Sequence, residues 1–300
     1  MFNKKFKNNF SLIFIILIAL AFQSCKSTRS ITREAFSPEA PDDATLLVAK
    51  ELSFPECDDN CKFIFFRLYN PIYKNPLYIA NILKGGIGST RVGNVPEVSH
   101  ASINFDLEDD FYGLSLGEEH ELKVEECGNV ESNSYMTNCD PEKSEQITYA
   151  LKVSEEEYNR TKEFVERYAE RTDVHYAPMD NFSIAAFSVK RKFFTSKEKK
   201  KFGNLTYPSR AKNKLVTREE EEEEKNFVCS TFVGYTLYNN VDAVYTFFNE
   251  HNIKYEYLNV ADISEIPGVI PLFYSTWADY LEAARAFVEE YPQFKEYLKE

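Results

Sequence analysis

The stretch NFVCSTFVGYTL, residues 226–237, decides the reading of this chain: a short apolar approach turns at Cys229 into a segment with Phe232, Val233, Thr236 and Leu237 at helical spacing. A cysteine at that point has a physical reason to be reactive. The first backbone N–H groups of a helix have no intrahelical partner and carry the positive end of the macrodipole, which favours a thiolate. The same N–H groups can donate to an oxyanion when the thiolate attacks a carbonyl. The spacing predicts a helix with one buried face and its N-terminal tip at a surface or cleft. The competing reading is a structural cysteine at a helix start.

A nucleophilic thiol needs a base, and histidine suits neutral pH. The candidates are His100, His120, His175 and His251. Only His100 lies in a clear strand pattern. VSHASINFDL, residues 98–107, alternates, with Val98, His100, Ser102 and Asn104 on one face and Ala101, Ile103 and Phe105 on the other. An acidic turn at residues 108–110 leads into FYGLSLG, which predicts an antiparallel partner strand. His120 and His251 stand in charged, turn-like surroundings.

Further out, Ser154 and Glu157 form a capping box, with Val153 placed to staple onto Tyr158, and Tyr158, Thr161, Val165 and Tyr168 continue a helix to about Arg171. KFIFFRL, residues 62–68, reads as a strand, and residues 277–291 read as a helix interrupted at Pro292. GGIGST, residues 85–90, lacks the lysine of a phosphate-binding loop and reads as a turn. Residues 190–225 join a lysine-rich run to six consecutive glutamates and read as a solvated insertion.

The N-terminus sets the compartment. Lys4, Lys5 and Lys7 precede an apolar run over residues 12–22, and FQSC closes it at Cys25. The run is too short to span a bilayer and reads as an export signal. Ser24 before Cys25 resembles a relaxed bacterial lipobox, which implies lipidation of Cys25. The expected organisation is a lipoprotein signal over residues 1–25, a tether over 26–43, and one domain over 44–300 with the charged insertion at about 190–225. The protein is therefore expected in the cell envelope, anchored to the membrane through lipid.

With Cys25 and Cys229 set aside, four cysteines remain. Nearest-neighbour pairing predicts bridges Cys57–Cys61 and Cys127–Cys139, one of the three connectivities four cysteines allow. Neither spacing fits a zinc knuckle. A formal charge of -13 leaves no basic surface for nucleic acid, and 15% aromatic residues argue against disorder over most of the length.

The order of these motifs, a strand beginning SHASI, a later tyrosine, and a helix opening FVCSTFV, resembles the circularly permuted members of the NlpC-like papain-fold superfamily. These include YiiX-type proteins and relatives of lecithin:retinol acyltransferase. The resemblance covers roughly residues 77–280, with ADISEIPGVIPLFYSTWADY similar to the family's closing segment. It implies an α+β fold in which an antiparallel sheet packs against the nucleophile-bearing helix. By matching, Cys229 is the nucleophile and His100 the base. Ser115, within GLSLG, is the third polar group, and Tyr176 and Ser230 border the substrate and oxyanion region. A serine cannot offset the charge of an imidazolium as a carboxylate would, which leaves room for an inactive descendant. The implied activity is an exported cysteine hydrolase acting on amide bonds of cell-wall peptide, without metal or organic cofactor. An acyl or lipid ester hydrolase, an acyltransferase and a non-catalytic binding module are the alternatives.

Overall fold

CKFIFFRLYN, residues 61–70, is apolar on both of its alternating sets, so a strand made from it must be covered on both faces. It forms β1 (Cys61–Asn70), a central strand of the sheet. The computed structural model describes residues 54, 60–71, 98–114, 122–124, 127, 139–177, 226–251 and 253–299. The signal, Cys25, the tether and the 190–225 insertion lie outside these residues.

Beside β1 stand β2 (His100–Asn104), β3 (Tyr112–Leu114) and β4 (Leu122–Val124) on one side, and β5 (Glu145–Ser154) and β8 (Val269–Thr276) on the other. Every pairing in this six-stranded sheet is antiparallel. The expected hairpin is present, with Ile103 opposite Tyr112. A short parallel pair, β6 (His175–Tyr176) with β7 (Asn226–Phe227), lies outside the main sheet. With its helices the molecule is α+β, as the sequence predicted.

The helices divide between the two faces. On one, α1 (Glu155–Ala169), α2 (Cys229–Asn240) and α3 (Asp242–Glu250) cover a core that includes Ile64, Phe66, Leu68, Ala101, Ile103, Ile147 and Leu151. On the other, α4 (Tyr280–Glu290) and a 3-10 turn at Pro292–Tyr297 pack with Phe65, Ala150, Leu272 and Phe273. The interruption at Pro292 thus falls where the sequence placed it. In α1 the capping box forms as predicted: Glu157 N–H donates to Ser154 Oγ at 3.2 Å, and Ser154 N–H donates to Glu157 Oε2 at 3.0 Å.

One expectation is corrected here. Every residue of α2 is buried, Cys229 included, instead of one face alone. The reason is that α2 is central, packing against the sheet, α1, α3 and the turn at Tyr255–Tyr257. The approach is so close that a Cβ added at Gly234 would meet Leu258 Cδ2 at 2.7 Å. Val98, expected beside His100, packs into the α2 side instead, because β2 begins only at His100 and the pleat does not extend back to Val98.

A disulfide joins Cys127 to Cys139, with Cα atoms 5.1 Å apart, as predicted. Cys61 is also disulfide-bonded, and its partner lies outside the described residues. Among the described residues no helix is long and apolar enough to cross a membrane.

Candidate functional site

Cys229 opens α2, is 6% exposed and is free of any disulfide. Val228 supplies no side-chain cap. Instead, Thr231 Oγ1 accepts from the Val228 N–H at 2.9 Å and donates to the Val228 carbonyl at 3.1 Å.

Three contacts fix the direction of α2 over the sheet. Arg160 donates through Nε and Nη2 to the Asn240 carbonyl at 3.1 and 2.6 Å, and the Asp242 N–H donates to Glu157 Oε1 at 2.8 Å. The N-terminal part of α1 therefore holds the C-terminal end of α2. From that same part Tyr158 donates to the Phe105 carbonyl at 2.8 Å, just beyond the end of β2. So α2 runs in the same sense as β2, and a 12-residue helix and a five-residue strand both extend about 17–18 Å. Cys229 accordingly lies toward the His100 end of β2.

The faces are another matter. Directly opposed residues in an antiparallel pair project to the same side. His100 opposes Tyr69, and the two rings are 4.9 Å apart; Ser102 opposes Arg67. These side chains stand on the α4 face, where Tyr69 packs with Trp277 and Cys139. Ala101 and Ile103 point to the α2 face, in the same apolar cluster as Cys229. His100 and Cys229 thus share an end of β2 and are divided by the sheet.

The remaining expected residues are scattered. Tyr176 opposes Phe227 in the β6–β7 pair, and the Ala177 N–H donates to the Phe227 carbonyl at 2.7 Å, so the structure brings Tyr176 to the approach to Cys229. Ser230 donates to the Leu258 carbonyl at 2.7 Å and tethers α2 to the loop beneath it. Ser115 and His120 lie outside the described residues. Tyr112, on the strand after β2, packs on the α2 side, away from His100. His175 is exposed, and His251 lies with Nδ1 3.0 Å from the Phe247 carbonyl at the end of α3. Among the described residues no group of His, Cys, Asp or Glu is placed to hold a metal ion.

Sequence reasoning missed Arg67. It is wholly buried on the α4 face, its guanidinium 3.7 Å from the ring centre of Trp277 and 4.4 Å from that of Phe111, and it pairs with Asp109 through Nη1. Burial pushes the Tyr280 hydroxyl beside it well above the usual tyrosine range, with the Arg67 charge pulling the other way. The available signal was a lone charge inside the apolar strand KFIFFRL, which implies either a partner or a ligand.

Comparison of the chain with protein-family models, with curated proteins and with solved structures finds no match.

Proposed function

We propose that this is an exported, lipid-anchored domain of papain-like, permuted type that binds its ligand without a Cys229–His100 proton relay. The ligand class is the one the motif resemblance implies, a cell-wall peptide or an acyl group. The observation that supports the non-catalytic reading is the strand register: His100 rests on Tyr69, across the sheet from Cys229. A proton transfer needs its partners within hydrogen-bond reach, about 3 Å, or linked by a water. Burial of Cys229 among apolar side chains is also what a structural thiol requires.

A second reading, cysteine hydrolysis, draws on a different observation. The N-terminus of α2 lies at the His100 end of β2, and its N-cap residue Val228 has no side-chain acceptor to occupy the first N–H groups. In that reading Cys229 attacks, its own N–H helps to hold the oxyanion, and His100 must turn to the α2 face with Ser115 behind it. Purified mature protein incubated with peptidoglycan and with model amide and ester substrates separates the two. Retention on the ligand without turnover, equal for wild type and Cys229→Ala, supports the binding module. Turnover that disappears in both Cys229→Ala and His100→Ala overturns it in favour of the hydrolase.

A further inference from the structure

The α4 face of the sheet carries buried polar atoms that have no hydrogen-bond partner among the described residues. They include Arg67 Nε and Nη2, Ser102 Oγ, Thr148 Oγ1 and the Tyr280 hydroxyl, with Gln146 Oε1 two residues from Thr148 along β5. These are not dispersed. Ser102 on β2 and Thr148 on β5 are the two residues directly opposite Arg67 on its neighbouring strands, and the Tyr280 ring centre is 5.8 Å from the Arg67 guanidinium carbon. The Tyr280 and Thr148 hydroxyls lie within hydrogen-bonding reach of each other but outside good hydrogen-bond geometry, so the atoms left wholly unmatched at the centre of the cluster are Arg67 Nε and Nη2 and Ser102 Oγ. A buried donor without a partner costs about 1–3 kcal/mol, more when charged, so a cluster of this size calls for an occupant.

The identity of the free atoms specifies its chemistry. Nη1 is engaged by Asp109. Nε and Nη2 share the opposite edge of the guanidinium plane, the edge that presents two parallel N–H groups to a carboxylate. Ser102, Thr148 and Tyr280 add hydroxyl donors beside that fork, while Trp277 and Phe111 wall the guanidinium with aromatic rings. Asp109 does not fully neutralise Arg67, because its own side chain is 36% exposed and shares its charge with water. We propose that Arg67, Ser102, Thr148 and Tyr280 form a binding site for a small carboxylate, held side-on by Nε and Nη2. This site stands on other residues than Cys229, so it stands or falls independently of the function proposed above.

Trp277 is the only tryptophan in the chain and lies against the guanidinium, so its fluorescence reports on the site directly. Acetate titrated into the mature protein at constant ionic strength, with chloride as the replaced salt, should change Trp277 emission saturably and raise the melting midpoint. Arg67→Lys removes the fork but risks misfolding, so three further variants carry the test. Ser102→Ala and Thr148→Val should each weaken the acetate response about tenfold, the loss expected for one hydrogen bond to a charged ligand. Asp109→Asn removes a competing carboxylate and should strengthen the response by a similar factor. Acetate and chloride acting alike on Trp277, as they would on a site filled by water alone, would overturn the proposal. So would variants at Ser102, Thr148 and Asp109 that leave the acetate response unchanged.

Discussion

The two faces of the sheet are built from the same strands and solve opposite problems. The α2 face is closed by apolar interdigitation, in which Phe227, Phe232 and Tyr235 meet Phe164 and Tyr168 from α1. The α4 face carries Arg67, His100, Ser102, Gln146 and Thr148 among its aromatics, and several of their polar atoms are unmatched. Polar groups are retained in a core at a cost in stability. The difference teaches that the cysteine motif, which drew the eye in the sequence, sits on the face devoted to packing. Unmatched polar atoms occur within α2 too, at Thr236 and Asn239, but the cluster built around a buried charge is on the other face.

Removing packing from the α2 face should produce the largest effect. Phe232→Ala deletes a ring that contacts Tyr168 and Phe227, and should cost about 3–5 kcal/mol in denaturant unfolding. A loss below about 1 kcal/mol would mean that this face is loosely packed and the comparison mistaken.

On the other side, Cys139 packs with Tyr69 and Trp277 and has Sγ 3.0 Å from Ser144 Oγ. Opening its bridge to Cys127 by Cys139→Ser should destabilise by about 3 kcal/mol, the value for a loop of this length. Reducing the wild type opens the Cys61 bridge as well and should lower the melting midpoint by more than Cys139→Ser does.

The charges of the α4 face give an asymmetric pair. Asp109→Ala leaves Arg67 buried without its counter-ion, whereas Arg67→Met leaves only a half-exposed aspartate behind. Asp109→Ala should therefore be the more destabilising, by about 1–2 kcal/mol. The reverse order in urea titrations would show that Arg67 is held mainly by its aromatic neighbours.

Alkaline pH supplies the smallest and broadest effect. Burial, then nearby acidic charges, pushes the Tyr158 hydroxyl up to about 12. The unfolded chain releases this proton near pH 10 while the folded chain keeps it. Stability should accordingly be fully present below about pH 10 and fall as pH rises through about 12. Tyr280 and Tyr297 are shifted in the same direction by burial and steepen the fall. A flat melting midpoint from pH 9 to 12 would contradict those burials.

Much of this architecture was legible. The capping box at Ser154 and Glu157, the β2–β3 hairpin around its acidic turn, the strand KFIFFRL and the stop at Pro292 follow from local chemistry, and each appears where it was expected. What was not legible depends on non-local packing. Alternation in SHASIN divides the strand into two sets, but both sets are buried, so the pattern cannot say which one α2 would cover. The same limit hid the burial of α2, since polar Ser230, Thr231, Asn239 and Asn240 look solvent-facing until the surrounding loops are in place. Arg67 could have been suspected from its apolar neighbours, though its partner Asp109 comes from a turn far along the chain.

The separation of Cys229 from His100 is most directly tested by alkylation of Cys229 with a small reagent, followed by peptide mapping across pH, in wild type and His100→Ala. With the sheet between them, the two proteins should give superimposable rate–pH profiles. A profile in wild type that loses an inflection, or falls more than about tenfold in rate, on removing His100 would show the imidazole coupled to the thiol. That result would contradict the account and restore the hydrolase.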